Sequence, residues 1–127
     1  MRAIVTVGLM LLGTIGCGDH THSHAGVATQ SVCPSSSALT YQSFGKQFFQ
    51  DYCSRCHAAS VTGAARQGAP DEQIFDTREQ IVAESEHLDT TAAAGPAAAN
   101  TSMPPSSPTP TEAQRRQLGE WLACGGK

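Results

Sequence analysis

The chain has 127 residues, of which 39% are hydrophobic and only 6% aromatic. That is enough for one small domain with appendages and a thin side-chain core. Its formal charge is −3, or −4 once a leader carrying Arg2 is removed; no basic patch suggests nucleic acid, and an acidic chain suits a basic partner or none in particular.

The first element is a leader. Arg2 precedes an apolar run from Ala3 to Ile15, which is too short to span a bilayer comfortably. A charged start, a short apolar region and a small residue, Gly16, before the cut describe an export signal over residues 1–16. Thr14-Ile15-Gly16-Cys17 resembles a bacterial lipobox, in which Cys17 is lipidated and becomes the new N-terminus. The alternative is ordinary cleavage nearby that leaves Cys17 as a spare thiol, a liability in an oxidising compartment. The expectation is therefore an exported lipoprotein on the periplasmic side of a bacterial membrane. Residues 17–38 follow as a flexible tether, polar and without periodicity from Asp19 to Ser37. Within it His20, His22 and His24 alternate; alternating imidazoles can gather a divalent metal, but in a tether they read as an adventitious site.

From Leu39 the pattern turns helical. Tyr41, Phe44, Gly45, Phe48, Phe49 and Tyr52 recur at i, i+3, i+4, i+7, i+8 and i+11, which is one broad apolar face, with Thr40 as N-cap. A glycine inside a helix costs about 1 kcal/mol against alanine, so Gly45 predicts the close approach of another helix. Next comes Cys53-Ser54-Arg55-Cys56-His57. Two thiols three positions apart on one helical turn can each add to a haem vinyl group, and the following histidine then lies beneath the iron. A zinc half-site is the first alternative, but no second Cys/His pair follows at a suitable spacing. A thioredoxin-like redox pair is the second, but no βαβ pattern surrounds the cysteines.

At this point the chain resembles the class I cytochromes c. In that family the first helix carries a small residue and an aromatic four apart, the aromatic four before the first haem cysteine; Gly45, Phe49 and Cys53 have that spacing. The family's last helix crosses at the small residue with an aliphatic and an aromatic three apart, as Leu118 and Trp121 are. The resemblance runs from about Thr40 to Ala123. It implies an all-α fold of three to four helices wrapped around one covalent haem c, with crossing N- and C-terminal helices, over a domain of residues 39–124 and a tail of 125–127.

Residues 58–69 are small and read as the loop after the haem turn. Asp76-Thr77-Arg78-Glu79 resembles a capping box, with Asp76 as cap and Glu79 three residues on. A helix then runs to about Leu88, with Ile81, Val82, Ser85 and Leu88 on one side. Residues 92–100 are alanine-rich, but Gly95-Pro96 breaks them into a loop. Met103-Pro104-Pro105 follows, 46 positions after His57. The prolines restrict the backbone around the methionine, and its thioether can fill the second axial position of the iron. The other two methionines lie in the leader. His87 is the competing ligand and would lower the potential, though its place beside Leu88 and Asp89 suits an exposed histidine in a last helical turn. Thr109-Pro110-Thr111-Glu112 gives the closing helix an N-cap, a proline at N1 and a glutamate at N3. Arg115 and Arg116 read as a solvated face rather than as partners of a haem propionate. Gly125 and Gly126 stop the helix.

With Cys53 and Cys56 assigned to haem and Cys17 to the leader, Cys33 and Cys124 remain. The crossing helices of the resembled fold bring their flanks together, which implies a Cys33–Cys124 disulfide. The function expected is a mono-haem electron carrier between redox partner proteins of the cell envelope, not an enzyme, with iron ligands His57 and Met103. Nothing indicates an oligomer. One alternative is a haem enzyme or gas-binding sensor with an open sixth position. Another is a lipid-anchored binding module in which the cysteine motif is fortuitous.

Overall fold

Thr40 opens the first helix with an extended backbone, and its hydroxyl accepts from the Ser43 N–H while the Ser43 side chain accepts from the Thr40 N–H. Two of the donors that a helix start leaves open are thus satisfied reciprocally. In the computed structural model, which describes residues 26–127, a π-type turn over Tyr41–Gly45 runs directly into α1, Lys46–Tyr52. Its aromatic face is turned inward: Phe48 and Phe49 are buried, and Tyr41, Phe44 and Tyr52 pack against them. After Cys53 the chain forms α2, Ser54–His57, and then a loop with a 3-10 turn at Gly63–Arg66. Two further short helices follow, α3 at Arg78–Ala83 and α4 at Ser85–Thr91, and α5 at Glu112–Ala123 closes the fold. Among the described residues the one β feature is an isolated bridge, Ala94 to Ala99.

α5 meets the first helical segment at Gly45. A Cβ there would lie 3.0 Å from Trp121 Cζ2 and 3.1 Å from Tyr41 Cδ2, so the hydrogen of glycine lets the indole seat. Trp121 is fully buried beside the rings of Tyr41, Phe44 and Phe49. Its Nε1 donates to the carbonyl of Lys127 at 3.1 Å, which gives the buried N–H the partner it requires. The core is completed by Phe75, Ile81, Leu88, Ala92, Ala93, Leu118 and Leu122. Farther along, α1 and α5 are also joined by Tyr52 and Gln114, whose side chains exchange hydrogen bonds at 3.0 and 3.2 Å.

Helix boundaries differ from the sequence expectation in three places. Thr77, not Asp76, caps α3, because Gln80 closes the reciprocal box with it; Asp76 instead accepts from the Ala59 N–H at 3.0 Å. The expected single helix to Leu88 is two, because the backbone at Glu84 (φ −100°, ψ 18°) leaves the helical range between α3 and α4. Thr111, not Thr109, caps α5 with Gln114 as its partner, so Pro110 stands before the helix. Gln114 is the residue that also reaches Tyr52, and a start at Thr111 serves both contacts.

The expected tether is corrected more strongly. Its second half is laid against the domain as a strap. Thr29 is wholly buried; its N–H donates to Asp89 Oδ2 at 2.8 Å, its hydroxyl donates to Asp89 Oδ1, and its carbonyl accepts from the Ala97 N–H at 2.9 Å. Asn100 Nδ2 donates to the Val27 carbonyl at 2.7 Å. The strap also crosses α5 at Gly119, where any Cβ would collide with Ser31 Oγ and the Ala94 carbonyl. Small polar residues therefore serve here as a fitted edge, with their backbone groups paired. The strap ends at Cys33, which is disulfide-bonded to Cys124 with a Cα–Cα distance of 4.7 Å. The leader, Cys17 and the three alternating histidines lie outside the described residues. No helix among the described residues is long and apolar enough to cross a membrane.

Candidate functional site

Cys53 ends α1 by donating its N–H to the Phe49 carbonyl, and the N–H groups of Cys56 and His57 both turn back to the Cys53 carbonyl at 3.1 and 3.0 Å. One tight turn therefore brings both thiols and the imidazole to a single cleft. Phe48, Tyr52, Phe75, Leu88 and Ala92 supply its apolar lining, Met103, Pro104 and Pro105 enter from the loop before α5, and His87 enters from α4. The cleft thus gathers Cys53, Cys56, His57 and Met103, together with the competitor His87.

His57 is held on three sides. Its Nδ1 is 2.9 Å from the Gln73 carbonyl, an oxygen that can only accept, so Nδ1 carries the proton and Nε2 keeps its lone pair. Its ring stacks on Phe75 with centroids 4.5 Å apart and planes inclined by 20°. Its carbonyl accepts from the Phe75 N–H at 2.9 Å. Burial pushes the imidazole pKa down, the Gln73 hydrogen bond opposes this, and the Arg66 charge adds to the lowering. A neutral imidazole with its far nitrogen oriented by a carbonyl behind it is the form that binds a metal.

Burial pushes the Cys53 thiol up to about 12, with Arg55 and then Arg115 opposing that rise. An ionised sulfur is therefore disfavoured in this cleft, whereas a thioether carries no charge. Two thiols, one free imidazole nitrogen and apolar walls fit a macrocycle bonded through two thioethers with a nitrogen ligand on its metal. Among the described residues no group of three or more His, Cys, Asp or Glu side chains is placed to hold a metal ion by itself, so the donor set suits a metal brought in by such a ring.

Three arginines and an aromatic that sequence reasoning did not assign to the site build its surroundings. Arg66, 4% exposed, donates to the carbonyls of Ala58, Val61, Ala69, Pro70 and Gln73, and so fixes the loop whose Gln73 oxygen orients His57. Its contact with Asp71 at 3.3 Å involves a carboxylate 96% exposed, so the carbonyls are the stronger anchor. Arg55 donates to the carbonyls of Ser106 and Ser107, tying α2 to the loop that carries Met103. Arg115 corrects the expectation of a solvated face: it is 3% exposed and donates to three carbonyls of the connection between α4 and α5. Only Arg116 follows that expectation, exposed and paired with Glu112 at 2.7 Å. There were signals for these residues. Arg66 is the single charge between Ala58 and Pro70, Arg115 shares the i, i+3, i+7 row of Leu118 and Leu122, and Phe75 is the only aromatic between Tyr52 and Trp121.

An all-α fold closed by crossing first and last helices, over an apolar cleft that presents two thiols and a neutral imidazole, defines a small protein that carries covalently attached haem. The family model described as Cytochrome c matches residues 43–124, and the chain belongs to that family. Its cofactor is accordingly haem c, which supplies one-electron chemistry at iron, and the family is one of electron carriers. No curated protein and no solved structure matches the chain.

Proposed function

We propose that this protein is a mono-haem electron carrier of the cell envelope, with its iron between His57 and Met103 and its domain tethered to a membrane through lipidated Cys17. The observation that carries the axial pair is the treatment of Met103. Its N–H donates to the Thr91 carbonyl at 2.9 Å and its carbonyl accepts from Arg115 at 2.7 Å, while the residue lines the same cleft as His57. With both main-chain groups spoken for, the thioether is the part left to act. Two filled axial positions leave no place for a substrate, which favours a carrier over an enzyme or gas sensor. The export signal and a disulfide between Cys33 and Cys124 both suit an oxidising compartment, where redox partner proteins of the envelope would meet the domain.

His87 supports a second reading because it lines the cleft as well. Bis-histidine ligation would give a lower potential than His/Met. The test is the visible spectrum of protein matured with c-type haem machinery, with Met103→Ala and His87→Ala beside it. Met103→Ala abolishes the thioether-to-iron charge-transfer band and opens the iron to carbon monoxide when reduced, whereas His87→Ala leaves both unchanged. A wild-type spectrum without that band, altered by His87→Ala, would establish the second reading. A reduced wild-type protein that binds carbon monoxide readily would favour the sensor or enzyme.

A further inference from the structure

We infer that Arg115 is the positioning residue for the axial methionine, setting how firmly Met103 holds the iron; this rests on the His57/Met103 reading above. Arg115 sits on α5, one turn before Leu118, and is almost wholly buried. Its Nη1 donates to the carbonyls of Ala92 at 2.7 Å, Asn100 at 3.0 Å and Met103 at 2.7 Å. The ion pairs among the described residues do not include it. A guanidinium buried without a carboxylate is costly, and here the compensation comes from three oxygens of the connection between α4 and α5.

The arrangement around it is directed at one short stretch. The Asn100 N–H donates to the Ala93 carbonyl at 2.9 Å, and its side-chain amide donates to the carbonyls of Val27 and Asp89, both at 2.7 Å. The Ser102 hydroxyl donates to the Thr91 carbonyl at 3.1 Å, and the Met103 N–H donates to the same oxygen at 2.9 Å. Residues 100–103 are therefore held from the α4 side through their donors. Their carbonyls at Asn100 and Met103 are held from α5 by Arg115 alone. Removing the guanidinium releases that second side and leaves the first in place, so the loop moves without the helices coming apart. Burial lowers the Arg115 pKa, but a guanidinium remains charged at ordinary pH, and charge-assisted bonds to carbonyls are the strong kind.

The experiment measures imidazole binding to the oxidised holoprotein, because imidazole must displace Met103 and its apparent affinity reports how often the methionine is off the iron. Wild type is compared with Met103→Ala, Arg115→Met and Arg115→Lys, with covalent haem content and far-UV circular dichroism recorded for each. Arg115→Met binds imidazole about tenfold more tightly than wild type, the loss of one charge-assisted bond, with a weakened charge-transfer band and unchanged helix content. Arg115→Lys, which keeps a cation but not the planar fork, falls between the two. Should Arg115→Met fail to mature, Arg115→Lys decides: tighter binding than wild type supports the inference and wild-type affinity overturns it. Wild-type affinity in Arg115→Met, while Met103→Ala binds more tightly, overturns the role of Arg115 and leaves the axial reading intact. Wild-type affinity in Met103→Ala overturns the axial reading, and the role of Arg115 falls with it.

Discussion

Replacing Gly45 with alanine tests the helix crossing, because two effects of opposite sign compete there. In an unhindered helix interior, alanine is favoured over glycine by about 0.8–1 kcal/mol. Here the new methyl would stand 3.0 Å from Trp121 Cζ2, 3.1 Å from Tyr41 Cδ2 and 3.3 Å from Trp121 Cε2, against an optimum near 3.5–4.0 Å for carbon pairs. Tyr41 is only half-buried and can swing outward. Trp121 has no such freedom, since it is fully buried among three other rings and its Nε1 is bonded to Lys127. Forcing extra volume into such a site costs about 1–3 kcal/mol. The net expectation is a loss of about 1 kcal/mol for Gly45→Ala, and about 2–3 kcal/mol for the bulkier Gly45→Val. For a domain of this size 1 kcal/mol corresponds to about 4–8 °C in Tm. Guanidinium and thermal unfolding of the holoprotein, followed by circular dichroism and by the fluorescence of the single tryptophan, measure it directly. A Gly45→Ala protein more stable than wild type by the helix-propensity gain would refute the argument that the indole fixes the crossing.

Three further outcomes are expected. The disulfide closes a loop between residues 91 positions apart, so Cys33→Ala with Cys124→Ala lowers unfolding stability by up to about 4–5 kcal/mol in the chain-entropy model; an unfolding midpoint indifferent to reductant in the wild type would contradict this. Thr29→Val removes the buried hydroxyl that bonds Asp89 and costs about 1–3 kcal/mol, where a loose tether would show no change in the same denaturation curve. Cys17→Ser moves the protein from the membrane fraction to the soluble periplasmic fraction, and its continued sedimentation with membranes would rule out the lipid anchor.

How much of this protein is local chemistry and how much is tertiary can be read from particular residues. The gathering of Cys53, Cys56 and His57 at one cleft was legible because they need only one turn of backbone to be presented together. The first helix and its packing face were legible because the aromatic spacing is a helical period. Gly45 announced the close approach of a helix through the cost of a glycine in a helix, and the family resemblance pointed to Trp121 as what meets it. The caps at Thr77 and Thr111 were missed by one and two residues because Asp76 and Gln114 take partners from distant segments, which no local pattern contains. The strap at Thr29 looked like a tether because its burial depends on Asp89 and Ala97, and polar side chains give no hint of partners 60 or more positions away. Arg115 looked like a surface charge for the same reason, and Arg66 drew no reading at all. The sequence by itself determined which thiols and imidazole are presented together and which helices flank them, since both follow from short-range spacing. Only the tertiary structure decided which buried cations hold the loops of the site, because a backbone carbonyl is present at every position and becomes a specific partner only when folding brings it to the charge.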